Sequence, residues 1–367
     1  ALYGVDKLIE DKEHQKAITC GTMTEEVIRL REELAEGNRS IFSRRLKGLI
    51  EDRLANRQQV MLFMNRRGYA GFVSCRSCGK AMKCPHCDVS LSEHKGGRLI
   101  CHYCGYTYPV PTECPNCGST ELMGRGIGTE RIEDQIAEIF PEARIARMDL
   151  DTTRTRNAYE RLISDFSSGK TNLLIGTQMI SKGLDFDKVS VVGILNADSM
   201  LNYPDFRAYE HAFMMMAQVS GRAGRKGKRG LVILQTKNPT LPIISQVVHN
   251  DYDSLFKGIL EERRMFHYPP FFHLINVFLK HKHEKICQQA SLELGKTLRG
   301  WFGERVLGPD KPAVARVKTM NIRKIVIKLE NGIDQKKVRE YLKYAQQMMA
   351  KDPRYGALQI YYDVDPM

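Results

Sequence analysis

The chain has 367 residues, 42% of them hydrophobic, and a formal net charge of +13. That length predicts two or three domains with ordinary globular cores, and the basic balance favours polyanionic partners, nucleic acid first. No apolar run approaches the ~18 residues of a membrane span, and the first twenty residues mix charged with apolar groups, so neither an anchor nor a signal peptide is expected.

The chain opens Ala-Leu-Tyr, which is expected of a piece of a longer protein. Residues 1–37 are highly charged and read as a linker carrying one helix, Thr24 to Glu36, closed by Gly37-Asn38, which tolerate left-handed backbone. Phe42 to Ala55 is a second amphipathic helix. Gln59 to Met64 reads as a short buried strand ended by the polar turn Asn65-Arg66-Arg67-Gly68.

Eight of the ten cysteines then fall between Cys75 and Cys117, and with no export signal expected such clustered pairs read as metal ligands and not disulfides. They form four C-x-x-C knuckles, Cys75/Cys78, Cys84/Cys87, Cys101/Cys104 and Cys114/Cys117. Two knuckles supply the four sulfurs of a tetrahedral structural zinc, so four predict two Zn2+ ions; iron in a rubredoxin-like site is the lesser alternative. Gly79, Gly105 and Gly118 follow three of the knuckles, as tight metal turns require. The spacing leaves two pairings open: the first and last knuckles around an inner site, or two sequential sites. Such closed four-cysteine sites have no open coordination position and are structural. Arg76, Lys80, Lys83, His86, His94, Lys95, Arg98, His102 and Tyr103 make the block basic with some aromatics, as either a DNA-contacting wedge or a solvated ribbon would be.

Beyond the block, helices and strands alternate: helix Thr129 to Phe140, strand Ala143 to Met148, helix Arg156 to Ser167, strand Asn172 to Gly176, strand Val189 to Leu195, helix Tyr209 to Ser220, strand Gly230 to Gln235. This predicts a parallel sheet covered on both faces, interrupted by the cysteine block. Asp251 to Phe266 is a charged helix ended by Pro269-Pro270. The rest reads as strand 274–280, helix 284–302, strand 312–318, strand 322–329, helix 335–350 and strand 357–364, a βαββαβ ferredoxin-like unit.

Four segments carry chemistry. Gln218-Val-Ser-Gly-Arg-Ala-Gly-Arg225 follows a helix and precedes a strand. Its arginines, Arg222 and Arg225, suit the charge of a transferring phosphoryl group, because a guanidinium fork pairs with phosphate oxygens and stays charged. Gly176-Thr-Gln-Met-Ile-Ser-Lys-Gly-Leu-Asp-Phe186 follows a strand, where parallel sheets bind ligands. Val60 to Tyr69 joins a strand to a basic turn, and Gly126-Ile-Gly-Thr-Glu130 opens a helix whose amides could face a phosphate.

Together these pieces resemble the second RecA-like lobe of superfamily-two helicases. The order Asn65-Arg-Arg-Gly-Tyr-Ala70, four knuckles, G-x-G-T-E, Arg147-Met-Asp-Leu-Asp-Thr-Thr153, G-T-Q-M-I-S-K-G, Asp205-Phe-Arg-Ala208, Glu262-Arg-Arg264, Val306-Leu-Gly-Pro309 and Asp363-Val-Asp-Pro366 is similar to the PriA (primosomal protein N′) family of replication-restart DNA helicases. The resemblance runs from about residue 38 to the end. Two places depart from it: Glu210-His211 stands where the family tends to show Glu-Arg, and Lys318 to Arg323 replaces a glycine-basic-aromatic stretch.

The resemblance implies an organisation: 1–37 the end of a connection from the first lobe, 38–74 and 119–250 the second lobe, 75–118 the two-zinc insert, 251–273 a connecting helix and 274–367 a C-terminal DNA- or partner-binding domain. It implies nucleotide contacts from Gly183, Asp185, Arg222 and Arg225, coupling through Gln218, and DNA contacts from Arg66, Arg67, Thr129, Thr177 and Gln178. It further implies a monomeric, cytoplasmic, nucleoid-associated enzyme that unwinds forked DNA 3′→5′ with ATP and Mg2+, restarts stalled forks and D-loops by primosome assembly, and meets single-stranded-DNA-binding protein, primosome proteins and the replicative helicase loader. Neither G-x-x-x-x-G-K-[ST] nor D-E-x-H or D-E-x-D occurs in the sequence, so this chain alone is expected not to turn over ATP. The alternative is a zinc-ribbon nucleic-acid-binding or scaffold module whose motor lobe does not hydrolyse.

Overall fold

The computed structural model describes residues 23–366 except 39, 66–71, 76–77, 79, 88, 95–97, 102–104, 121, 124–128, 150–151, 154, 182–185, 224–229, 313 and 318. The chain starts with strand β1 (Met23–Arg29), helix α1 (Leu30–Ala35), helix α2 (Arg44–Ala55) and strand β2 (Gln59–Phe63). Ser43 caps α2, its hydroxyl accepting from Leu46 N at 3.1 Å. Short strands build the cysteine block: β3 (Ser74–Cys75), β4 (Ser92–His94), β5 (Arg98–Ile100), β6 (Thr107–Pro109) and β7 (Leu122–Met123). The lobe resumes with α3 (Thr129–Ile139), β8 (Ile145–Met148), α4 (Arg156–Ser167), β9 (Leu173–Gly176), β10 (Val189–Ile194), α5 (Asp198–Leu201), α6 (Ala208–Ser220), β11 (Gly230–Thr236), α7 (Pro242–Val248) and α8 (Tyr252–Met265).

These strands make one six-stranded sheet, β1-β11-β10-β2-β9-β8, in which every pairing is parallel. β2 and β9 are buried along their whole length, which is why both read as unbroken apolar runs. Alternate residues feed opposite cores. Val60, Leu62, Leu173 and Ile175 pack under α2 and α3, while Met61, Phe63, Leu174 and Val192 pack under α4, α6 and α7.

One expectation fails at the start of this lobe. Residues 24–36 are not one helix: Met23–Arg29 pair with β11 and only Leu30–Ala35 are helical. The expected linker over 1–37 is corrected there, since from residue 23 the chain already belongs to the sheet; residues 1–22 lie outside the described residues.

The last third holds β12 (Phe272–His281), α9 (Glu284–Phe302), β13 (Val306–Asp310), β14 (Arg316–Val317), β15 (Met320–Glu330), α10 (Gln335–Lys351) and β16 (Gln359–Val364). The antiparallel order β13-β15-β12-β16, with both helices packed on one face, is the ferredoxin-like arrangement. The second strand lies earlier than expected: Val306–Asp310 replaces the strand read at 312–318, of which, among the described residues, only Arg316–Val317 pairs. No described helix is long and apolar enough to cross a membrane.

Candidate functional site

Strands β2, β8 and β9 end side by side at the carboxyl edge of the parallel sheet, where the Gly176–Phe186 segment begins. Thr177 leaves β9 there, with its N–H donating to Met148 O at 3.3 Å and its carbonyl accepting from Ile180 N at 3.0 Å. Gly176 is required by close packing: a Cβ on it would stand 2.3 Å from Ile180 Cγ2 and 3.0 Å from Met148 O. The turn through Gln178 is thereby pressed onto the strand end. On the neighbouring strand, Asp149 accepts from Thr152 N at 3.0 Å, and Thr153 Oγ1 meets Met179 Sδ at 3.2 Å. The Arg147–Thr153 and Gly176–Phe186 segments are therefore in contact.

Helix α6 packs on the same core as this turn. Its inner side chains Ala212, Phe213, Met216 and Val219 share one core with Ile180 and the partly buried Met179. Gln218 and Arg222 are half-buried at its carboxyl end, and Arg222 N donates to Val219 O at 3.0 Å. The fold thus packs α6 and the Gln178–Ser181 turn on one apolar core, with Gln218 and Arg222 at the end of that helix. Thr129 begins α3, with its side chain outside the described set; Arg66, Arg67, Gly183, Asp185 and Arg225 also lie outside it.

Sequence reasoning missed two polar clusters beside this edge. Asp198 is buried and joins the ends of β10 and β11, accepting from Thr236 Oγ1 at 3.0 Å and Lys237 N at 2.8 Å. Burial pushes its carboxyl up, against the pull of the Lys237 N–H and charge. Glu210 on α6 pairs with Arg263 on α8, both about nine-tenths buried. Burial pulls the Arg263 guanidinium down and the Glu210 charge opposes this. An isolated Glu and the Glu-Arg-Arg run hinted at charge, but only tertiary structure pairs them.

In the cysteine block the four knuckles share one turn. Cys75, Cys84, Cys101 and Cys114 each donate N–H to the carbonyl five residues on: Lys80 at 3.0 Å and Val89, Tyr106 and Ser119 at 2.8 Å. Gly105 and Gly118 take the left-handed backbone (φ +77° and +72°) that closes two of these turns. Cys75, Cys78, Cys114 and Cys117 converge, and so do Cys84, Cys87 and Cys101, the sulfurs within each group lying within 4.8 Å of one another. Of the two pairings left open, the nested one is observed; Cys104 lies outside the described residues. A tetrahedral zinc with bonds of ~2.3 Å needs sulfurs roughly 3.8 Å apart. Cys75 to Cys117 is 3.6 Å and Cys78 to Cys114 is 3.5 Å, so the outer set fits such an ion. Cys78 N also donates to Cys75 Sγ at 3.3 Å, the amide support that a bound thiolate wants.

The inner set abuts the C-terminal domain. Tyr268 OH donates to Cys87 O at 3.2 Å, and its ring stacks on Phe206 at 4.4 Å. The ammonium of Lys328 lies 3.9 Å from the Tyr268 ring centre and donates to Phe266 O at 2.7 Å. One apolar cluster joins Val89, Leu91, Leu99, Leu274 and Val326, so the insert is wedged between lobe and C-terminal domain.

A helicase-type second lobe carrying a cysteine-rich zinc-ribbon insert and a ferredoxin-like domain is the class of protein that this fold defines. Three family models match in chain order: the PriA DNA helicase Cys-rich region over residues 84–109, the helicase conserved C-terminal domain over 116–227 and the primosomal protein N C-terminal domain over 264–367. The chain is 43% identical over 305 residues to the replication restart protein PriA of Bacillus subtilis, an alignment covering 82% of this chain and 38% of the relative. It is 34% identical over 313 residues to that of Haemophilus influenzae, covering 84% of this chain and 42% of the relative. Among solved structures, the Mss116p DEAD-box helicase domain 2 bound to an RNA duplex covers 65% of this chain and 68% of its own, at 13% identity and a TM-score of 0.33. The chain belongs to the PriA family. It spans about two fifths of the length of these relatives.

Proposed function

We propose that this chain supplies the second motor lobe, zinc insert and C-terminal domain of an ATP-dependent 3′→5′ DNA helicase that recognises stalled forks and D-loops and restarts replication by primosome assembly. The observation that carries the reading is the one apolar core shared by the turn after Thr177, through Met179 and Ile180, and helix α6, which has Gln218 and Arg222 at its carboxyl end, on a six-stranded parallel sheet.

In this reading Arg222 and Arg225 neutralise charge on the transferring phosphoryl group, beside Gly183 and Asp185, once a first lobe brings ATP and Mg2+. Gln218 senses their closure. Thr177 and Gln178, with Thr129, Arg66 and Arg67, hold the strand by its phosphates, so a change at the nucleotide moves the DNA grip through the shared core. The eight cysteines hold two Zn2+ ions, which supply rigid cross-links and no reactive centre. The insert then acts as a strand-separating wedge. Single-stranded-DNA-binding protein, primosome proteins and a helicase loader are the expected partners, in the cytoplasm at the nucleoid, for a monomer. Without the first lobe this chain does not turn over ATP.

The reading is tested by strand displacement with the full-length protein on forks that offer either a 3′ or a 5′ single-stranded arm. Displacement only from the 3′ arm, abolished in Arg225→Ala, is expected. ATP-independent binding without displacement would favour the zinc-ribbon binding module.

A further inference from the structure

Residue alternation gives the ferredoxin-like sheet two unlike faces. Ile275, Val277 and Leu279 of β12 point into the core under α9 and α10. Asn276, Phe278 and Lys280 stand on the opposite, helix-free face, and with the lobe loop at Tyr203–Arg207 they enclose a cavity of about 410 Å³. That volume is ample for one nucleotide unit.

The floor is aromatic. Phe278 and Tyr361 are direct cross-strand partners, their rings stacked 4.9 Å apart at 14°. The Lys280 ammonium lies 4.5 Å from the Tyr361 ring centre. Asn276 is only 8% exposed, and its Oδ1 is buried with no hydrogen-bond partner among the described residues. A buried amide oxygen in that state is costly and asks for a donor from outside. Arg207 and Lys324 line the same cavity. Its carboxylate, Asp205, accepts from Arg207 N at 2.8 Å, so cations outnumber anions around the floor.

An aromatic platform with one amide and a rim of cations is the chemistry that holds an unpaired nucleotide: ring on base, amide on base edge, cation on phosphate. We propose that this cavity takes a single unpaired nucleotide of a DNA strand, its base stacked beside Phe278 and Tyr361, its edge paired with Asn276 and its phosphate facing Lys280 and Lys324. The proposal deepens the reading of the C-terminal domain as a DNA holder and rests on it.

The test uses the full 367-residue chain with its zinc. Binding of a labelled oligothymidylate is followed by anisotropy for the wild type, Tyr361→Ala and Asn276→Asp, with free dTMP as competitor, and a 5-iodouracil oligomer is photocrosslinked. Tyr361 is 37% exposed, so its truncation spares the core. Expected are affinities about tenfold weaker or worse in both variants, cross-links on the peptides bearing Phe278 or Tyr361, and no displacement by dTMP at equal base concentration. Displacement by dTMP would reassign the cavity to free nucleotides and overturn the proposal. Variants that unfold like the wild type, bind the oligomer equally well and cross-link only elsewhere would overturn the cavity while leaving the DNA reading standing. No oligomer binding by the wild type would remove that reading and the proposal with it.

Discussion

At the scale of single residues the molecule is held by groups whose neighbours come from far along the chain. The Glu210–Arg263 pair is the strongest case. Both side chains are about 90% out of solvent, Arg263 also lies 5.2 Å from the centre of the Phe206 ring, and it donates to Pro269 O at 3.3 Å. Removing one member leaves an uncompensated buried charge, whereas removing both does not. Glu210→Ala should therefore cost about 3–5 kcal/mol in urea unfolding, and the double variant Glu210→Leu with Arg263→Met clearly less. A loss below about 1 kcal/mol for Glu210→Ala would mean that the pair is hydrated and not a buried clamp. Nothing local in the sequence announces this clamp, because its energy depends on burial that only the packing of α6 on α8 creates. The arginines of the Gln218–Arg225 run can be proposed from sequence for the opposite reason: the residue types and spacing that suggest them lie along one short segment.

At the scale of elements, legibility followed how much of each element's stability is local. Arg156–Ser167 was read with its observed bounds, since its apolar spacing and its Thr155 cap are contained within it. β1 was misread as helix because Met23–Arg29 carries two adjacent glutamates and one outward basic residue, good helix formers in isolation. Among the described residues it is an edge strand, where charge is tolerated and guards against stray pairing, and its partner β11 lies some two hundred residues on. β13 was missed because Gly308-Pro309 argues against a strand; at a sheet edge with one paired side, both are allowed. The knuckles were legible from spacing, but their partners were not, since C-x-x-C fixes only two of four ligands. The nested arrangement makes a sharp prediction. Cys75→Ser with Cys114→Ser removes two ligands from one site, so metal analysis should fall from two zinc ions per chain to one. Loss of both ions from that double variant would indicate sequential pairing instead.

At the scale of the whole molecule, the insert links lobe and C-terminal domain through Tyr268, Phe206 and Lys328. On the proposed reading, motion of the lobe on nucleotide is passed through this contact to DNA held by the C-terminal domain. This linkage was not legible in advance, because it depends on where an interrupted lobe places its insert against a domain that begins some 150 residues later. The most direct test of the central claim is forked-DNA-stimulated ATP hydrolysis by the full-length protein, wild type beside Arg222→Ala. The account predicts strong stimulation in the wild type and a loss on the order of a thousandfold in the variant, as removal of a phosphoryl-stabilising arginine should give. Turnover that ignores forked DNA, or an Arg222→Ala variant that hydrolyses ATP like the wild type, would contradict it.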